Sequence, residues 1–142
     1  MAKNMIVLVG IPASGKTTIT RTLFASHIPV SFDQLPHRTR NEEDKLIMKV
    51  CKRGHDIVID SANIDKRKRT KYINYAREYG YSVHAVFVDT SLDAARKRNA
   101  SRERQVPDGM LKSYAEKIEY PSTDEGFDTV FTMWNDWQPK LT

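Results

Sequence analysis

The sequence predicts an α/β chain: a three-layer αβα sandwich around a mainly parallel sheet of about five strands. Three observations carry this. Short continuous apolar runs, at residues 5–9 and 57–59, lack polar alternation, which marks strands covered on both faces. Segments with apolar residues at helical spacing separate those runs, and such alternation requires parallel crossovers. A chain of 142 residues, 39% of them hydrophobic, is one domain's worth and can build a core without a staple. We expect a single domain over residues 1–142, with no internal repeat or linker.

Residues 5–9 make the first strand, ending at Gly10. Ile19, Leu23 and Phe24 recur at helical spacing, so a helix runs from near Gly15 to about Ala25. Its threonines lower the intrinsic propensity and leave packing to support it. Residues 30–32 are a short strand, followed by a polar loop through Pro36. Asn41 before Glu42, Glu43 and Asp44 reads as a capped helix start, with acids set favourably against the dipole. Leu46, Ile47, Val50 and Cys51 are its apolar stripe, and Gly54 suits the position after its end.

Residues 57–60 form the next strand, which closes on the carboxylate of Asp60. Asp65 caps a helix reaching Tyr79, with Tyr72, Ile73 and Ala76 inward and Gly80 as its stop. Residues 83–88 are a fourth strand, with His84 in a structural role. Thr90 with Asp93 resembles a capping box for a helix packed through Leu92 and Ala95. Pro107 opens one more, bearing Met110, Leu111, Tyr114 and Ile118, and Pro121 ends it. Residues 130–133 are the fifth strand, before a tail in which Trp134 and Trp137 either pack or stack on bases.

Composition narrows the function. The single Cys51 excludes an internal disulfide and a cysteine-based zinc site, so a reduced, cytoplasmic setting is expected. No apolar run approaches the roughly 18 residues of a membrane span, and the N-terminal apolar segment is too short for a signal peptide; the expectation is a soluble protein without a membrane partner. The net charge of +5 is unevenly distributed. Residues 1–107 hold 20 basic and 11 acidic side chains, whereas residues 108–142 hold 3 and 7. Residues 66–71 and 96–104 together carry 10 of the 23 cations, a clustering suited to a phosphate-rich partner.

Gly10-Ile11-Pro12-Ala13-Ser14-Gly15-Lys16-Thr17 matches G-x-x-x-x-G-K-[ST], between a buried strand and a helix start, the context this P-loop motif needs. Backbone N–H groups and the helix N-terminus would wrap the β-phosphate, Lys16 would reach the β- and γ-phosphates, and the Thr17 hydroxyl would bind Mg²⁺. Gly10, Ala13, Ser14, Gly15, Lys16, Thr17 and Thr18 are thus candidate ligands of ATP or another nucleoside triphosphate. Asp60, at a buried strand end, suits the phosphate and metal surroundings, or else caps the turn at Ser61 and Ala62. Asp33 closes the second strand at the edge where ligands collect in open α/β sheets, and could accept a proton from an attacking hydroxyl, or be a turn residue.

Arg98 and Arg102, four apart, are expected on one helix face over the nucleotide, where they would neutralise phosphate charge. Arg96, Lys97 and Arg104 read as solvated. Lys66, Arg67, Lys68, Arg69 and Lys71 crowd a helix start, where cations oppose the dipole. They read either as a contact for a polynucleotide backbone or as a solvated basic face.

Taken together, these residues resemble the kinase domain of the 5′-hydroxyl polynucleotide kinase family. The resemblance runs through the P-loop, Val30-Ser31-Phe32-Asp33-Gln34-Leu35, Ile57-Val58-Ile59-Asp60-Ser61-Ala62-Asn63 and Ala76-Arg77-Glu78-Tyr79-Gly80. It continues in Val86-Phe87-Val88-Asp89, Ala95-Arg96-Lys97-Arg98-Asn99 with Arg102, Val106-Pro107 and Tyr120-Pro121-Ser122-Thr123-Asp124-Glu125-Gly126-Phe127. It implies a P-loop fold of the nucleoside-kinase type with a helical lid. It also implies that Lys16 and Thr17 bind phosphate and Mg²⁺, that Asp33 is the general base, that Asp60 lies in the active site, and that Arg98 and Arg102 belong to the lid. The γ-phosphate of ATP would pass to the 5′ end of DNA or RNA.

Three positions, in two places, depart from the family. Its frequent Asn-Arg before the base is Ser31-Phe32 here, and an Arg three residues after the base, present in the phage enzyme, is Pro36; Arg38 is the nearby candidate for acceptor binding. The phosphatase domain of some relatives has no room here, so no 3′-phosphatase activity is expected. Two other readings stay open: a kinase for another hydroxyl, on a metabolite, a nucleoside or a hydroxymethylated base, and an ATP-gated nucleic-acid-binding module without catalysis.

Overall fold

The computed structural model describes residues 3–134; Met1, Ala2 and residues 135–142, Trp137 among them, lie outside the described residues. Five strands, β1 (Asn4–Val9), β2 (Ile28–Val30), β3 (Ile57–Ile59), β4 (Ser82–Asp89) and β5 (Thr129–Trp134), form one sheet in the order β2-β3-β1-β4-β5. Every neighbouring pair is parallel. Five helices, α1 (Lys16–Leu23), α2 (Arg40–Lys52), α3 (Lys66–Tyr79), α4 (Leu92–Ala100) and α5 (Asp108–Lys117), complete the described chain with two short 3₁₀ turns.

The apolar runs do what their lack of alternation requires, because both faces of the central strands are covered. Met5, Val7 and Val9 of β1 point to one side, where they meet Ile47, Val50 and Cys51 of α2 and Tyr72, Ile73 and Ala76 of α3. Ile6 and Leu8 point to the other, with Val58 and Val86, against Phe24 just after α1. These are the three layers, helices on both faces of a parallel sheet. Ile47 is fully buried, and its truncation to Ala would cost about 2–5 kcal/mol.

Several boundaries differ from expectation. α1 ends at Leu23, where Phe24 leaves helical geometry. β2 occupies Ile28–Val30, not residues 30–32: the Val30 carbonyl accepts the Asp60 N–H at 2.9 Å, and the chain then turns into a 3₁₀ segment, Phe32–Gln34, that carries Asp33. Thr39, not Asn41, caps α2 in a reciprocal capping box with Glu42. Ser91, not Thr90, caps α4. Asp65 caps α3 and Gly80, at φ 74°, ends it, as expected.

Arg102 does not share a helix with Arg98. α4 stops at Ala100, and the buried Asn99 exchanges two hydrogen bonds with the backbone of Val106, at 2.8 and 3.0 Å, which curls residues 100–106 back beneath α4. The cluster at residues 66–71 also divides. Arg69 is fully buried, and Lys71 is paired with Glu43 and Asp44 of α2, so neither belongs to an open basic face; only Lys66, Arg67 and Lys68 are exposed.

Candidate active site

Because all strands are parallel, the segments following β1, β2, β3 and β4 open at one sheet edge. The P-loop follows β1 in the middle of the sheet. Gly10 is required there by close approach: a Cβ would lie 3.0 Å from Ser14 Oγ and 3.1 Å from the Val88 carbonyl. The loop then needs positive φ at Ala13 (63°) and at Gly15 (96°), which precedes the first residue of α1. Its position is pinned from both sides, by Gly10 N–H to the Ala62 carbonyl at 3.0 Å and by the Thr90 hydroxyl to the Ser14 carbonyl at 3.3 Å.

Lys16 is 9% exposed, and its ammonium donates to the carbonyls of Gly10 and Ile11 at 2.9 Å each. Burial lowers its pKa to about 8; Asp60 resists the fall, Arg102 adds to it and Asp33 resists it. These three residues come from three different segments of the chain, after β3, α4 and β2 respectively. Asp60 is itself pushed up by burial, against the pull of Lys16 and of the nearby Thr17 and Thr20 hydroxyls, the second of which donates to the Lys16 carbonyl at 3.1 Å. Thr17 and Thr18 are exposed at the start of α1, and Ser14 is fully buried beneath the loop.

Asp33 is exposed on its 3₁₀ turn. Arg38 is exposed and held at φ 52°, a left-handed conformation uncommon for a residue with a Cβ. Arg98 is half-buried in the last turn of α4, and Arg102 is exposed on the curled segment beyond it. Lys97 and Arg104 are solvent-facing as expected, and Arg96 forms a surface pair with Asp108. His84 contacts the Thr129 hydroxyl at 2.6 Å between neighbouring strands, and Trp134 is 65% exposed.

Two residues that frame this edge were not expected to. Asn63, buried at φ 50°, donates to the Leu8 carbonyl at 2.7 Å, just before the P-loop. Arg69 holds Asn63 in turn: its guanidinium donates to the Asn63 and Glu119 carbonyls, both at 2.9 Å, and forms a two-pronged pair with Glu125 at 2.8 and 2.9 Å. The signal for Arg69 was available, since positions 69, 72, 73 and 76 lie on one helical face.

The Thr17 hydroxyl and the Asp60 carboxylate are hard oxygen donors placed side by side, which suits Mg²⁺. Among the described residues no cluster of three His, Cys, Asp or Glu could hold a metal by itself. No described helix is long and apolar enough to cross a membrane.

Comparison with known proteins agrees with this geometry. A family model described as an AAA domain matches residues 5–121. The bifunctional polynucleotide phosphatase/kinase of Schizosaccharomyces pombe is 26% identical over 133 residues, covering 90% of this chain and 33% of that protein. The L-seryl-tRNA(Sec) kinase of Methanococcus maripaludis is 22% identical over 142 residues, covering 87% and 56%. The chain thus spans between a third and just over half of the length of these relatives. Among solved structures, a fungal RNA kinase superposes with a TM-score of 0.76 at 17% identity, over 100% of this chain and 41% of that one. A gluconokinase from Sinorhizobium meliloti 1021 gives 0.67 at 16% identity, over 95% and 84%. The motif, the sheet order and the family match converge: the chain belongs to the AAA domain family and has the fold of a P-loop kinase.

Proposed function

We propose that this chain is an ATP-dependent kinase that transfers the γ-phosphate to the 5′-hydroxyl of a nucleic acid. The observation that carries the reading is the placement of the P-loop after β1, Asp33 after β2 and Asp60 after β3 along one edge of a parallel sheet, with both carboxylates acting against the fall in the pKa of the buried Lys16. A binding module needs a P-loop and cations. A carboxylate from the segment after β2, at the same sheet edge, is what transfer chemistry adds.

In this reading Gly10, Ala13, Ser14, Gly15 and Thr18 cradle the phosphates of ATP through the loop and the start of α1. Lys16 follows the β- and γ-phosphates. Thr17 and Asp60 would hold Mg²⁺, which when bound would supply positive charge against the phosphates. Asp33 accepts the proton of the attacking hydroxyl. That oxygen forms a bond to the γ-phosphorus as the bond to the β-γ bridging oxygen breaks in line, and ADP leaves. Arg98 and Arg102 balance the charge that develops on the transferred group, and Arg38 takes the first acceptor phosphate.

A second reading, a kinase for a different hydroxyl, is favoured by the departures at Ser31, Phe32 and Pro36 and by relatives named for L-seryl-tRNA(Sec) and gluconate. One experiment separates the two. Purified protein is given γ-labelled ATP and Mg²⁺ with 5′-hydroxyl DNA, 5′-hydroxyl RNA, the same strands 5′-phosphorylated, modified-base DNA, nucleosides and gluconate, with Lys16→Ala as blank. Label confined to 5′-hydroxyl strands supports the proposal. Label on phosphorylated strands, nucleosides or sugar overturns it.

A further inference from the structure

We infer that the outer face of α2 is the track along which the acceptor strand leaves the active site, binding its phosphate backbone; the inference rests on the polynucleotide reading above. α2 begins at Arg40, seven residues after Asp33, and packs along β2, so its N-terminus lies at the ligand edge and its axis runs away from it. Lys45, Lys49 and Lys52 follow at i, i+4 and i+7, all exposed on one face, with Arg53 beyond them. Together with the half-buried Met48 they line one shallow open groove.

The charge on this face is unopposed. Glu43 and Asp44 turn toward α3, where they meet Lys71, and Glu43 also accepts from the Tyr72 hydroxyl at 3.0 Å. Glu42 folds back onto the N–H groups of His37 and Thr39. None of Lys45, Lys49, Lys52 and Arg53 takes part in an ion pair among the described residues. The α2 dipole accounts for Lys49 and Lys52 in the last turn but not for Lys45 in the second. The contrast with α3 is direct, because there Arg69 and Lys71 are consumed by internal pairs.

A helix of 13 residues is about 20 Å long, which at about 3.4 Å per nucleotide spans roughly six phosphates. The track therefore predicts acceptor affinity that grows with strand length up to about six nucleotides beyond the 5′ end and then levels off.

The test compares the wild type with Lys45→Gln/Lys49→Gln/Lys52→Gln, which retains helix propensity and whose fold is checked by circular dichroism. Two quantities are read: KM for a 5′-hydroxyl strand longer than the track against KM for a 5′-hydroxyl dinucleotide, and the salt slope of direct binding of a fluorescent strand. The expected result is a rise of about tenfold or more in KM for the long strand, little change for the dinucleotide, and a salt slope shallower by about 2. Unchanged long-strand KM and slope, with transfer intact, overturn the track and leave the kinase. Binding that depends on the three lysines without any transfer overturns the kinase and leaves the track. A wild type that neither binds nor labels strands overturns both.

Discussion

Residues 66–71 and 96–104 each pack five cations into a short stretch, and the fold treats the two in opposite ways. In the first, Arg69 falls on the inward face of α3 and is fully buried against Glu125 and two carbonyls, while Lys71 crosses to α2. In the second, the helix ends before Arg102, and that side chain stays exposed on a curled segment, near enough to Lys16 to lower its pKa. The difference teaches that cation density does not assign a role. What assigns it is the position of each cation relative to helical period and helix end.

The comparison can be broken most sharply at Arg102. Arg102→Ala is expected to lower kcat for phosphate transfer by about 10³-fold while leaving the thermal midpoint unchanged, because the group sits in solvent and, in the proposed mechanism, balances the charge of the transferred group. A large drop in Tm would erase the distinction between the two stretches.

Arg69→Ala is expected to do the reverse. Removing one partner of a buried pair leaves Glu125 uncompensated and should cost about 3–5 kcal/mol in denaturant unfolding. Arg69→Met with Glu125→Leu should recover most of that stability, since apolar replacement of a buried pair is often neutral. Failure to recover it would mean that the hydrogen bonds to Asn63 and Glu119, not the pair, hold this corner together.

The pH dependence sharpens the link between Arg102 and Lys16. Lys16 loses its proton at about 8 in the folded chain and at its ordinary 10.5 when unfolded. The unfolded state therefore holds more protons between those values, and the contribution of this group to stability rises with pH across that window. Nucleotide phosphates favour the protonated ammonium, so ATP affinity should be level below about pH 8 and fall by up to tenfold per unit above it. Calorimetry in buffers of different ionisation enthalpy should register proton uptake there, and Arg102→Ala should move the break to higher pH.

The smallest effect is expected at Arg96, in the same stretch as Arg102. Its pair with Asp108 holds that carboxyl below its usual range, but both side chains are solvent-exposed and screened. Arg96→Ala should leave kcat and Tm unaltered within error.

The parts of this fold that were legible are those encoded locally. The apolar runs at β1, β3 and β4, the P-loop, the Asp65 cap and the Gly80 stop each lie within a few neighbouring residues. The candidate site was legible as residue types at strand ends: the P-loop with Lys16, Asp33 and Asp60 follow β1, β2 and β3 at one sheet edge. What escaped depends on distant partners. β2 ends early because Val30 pairs with the β3 segment, and the lid curls because Asn99 binds Val106. Arg69 was misread because a cluster of cations hid a helical face.

The most direct test of the account is Asp33→Asn. Well below pH 8, ATP affinity by calorimetry should match the wild type, because Asp33 is proposed as the acceptor-side base, while transfer to a 5′-hydroxyl strand should fall by about 10²- to 10⁴-fold. Transfer at the wild-type rate would contradict the account and remove Asp33 as the base.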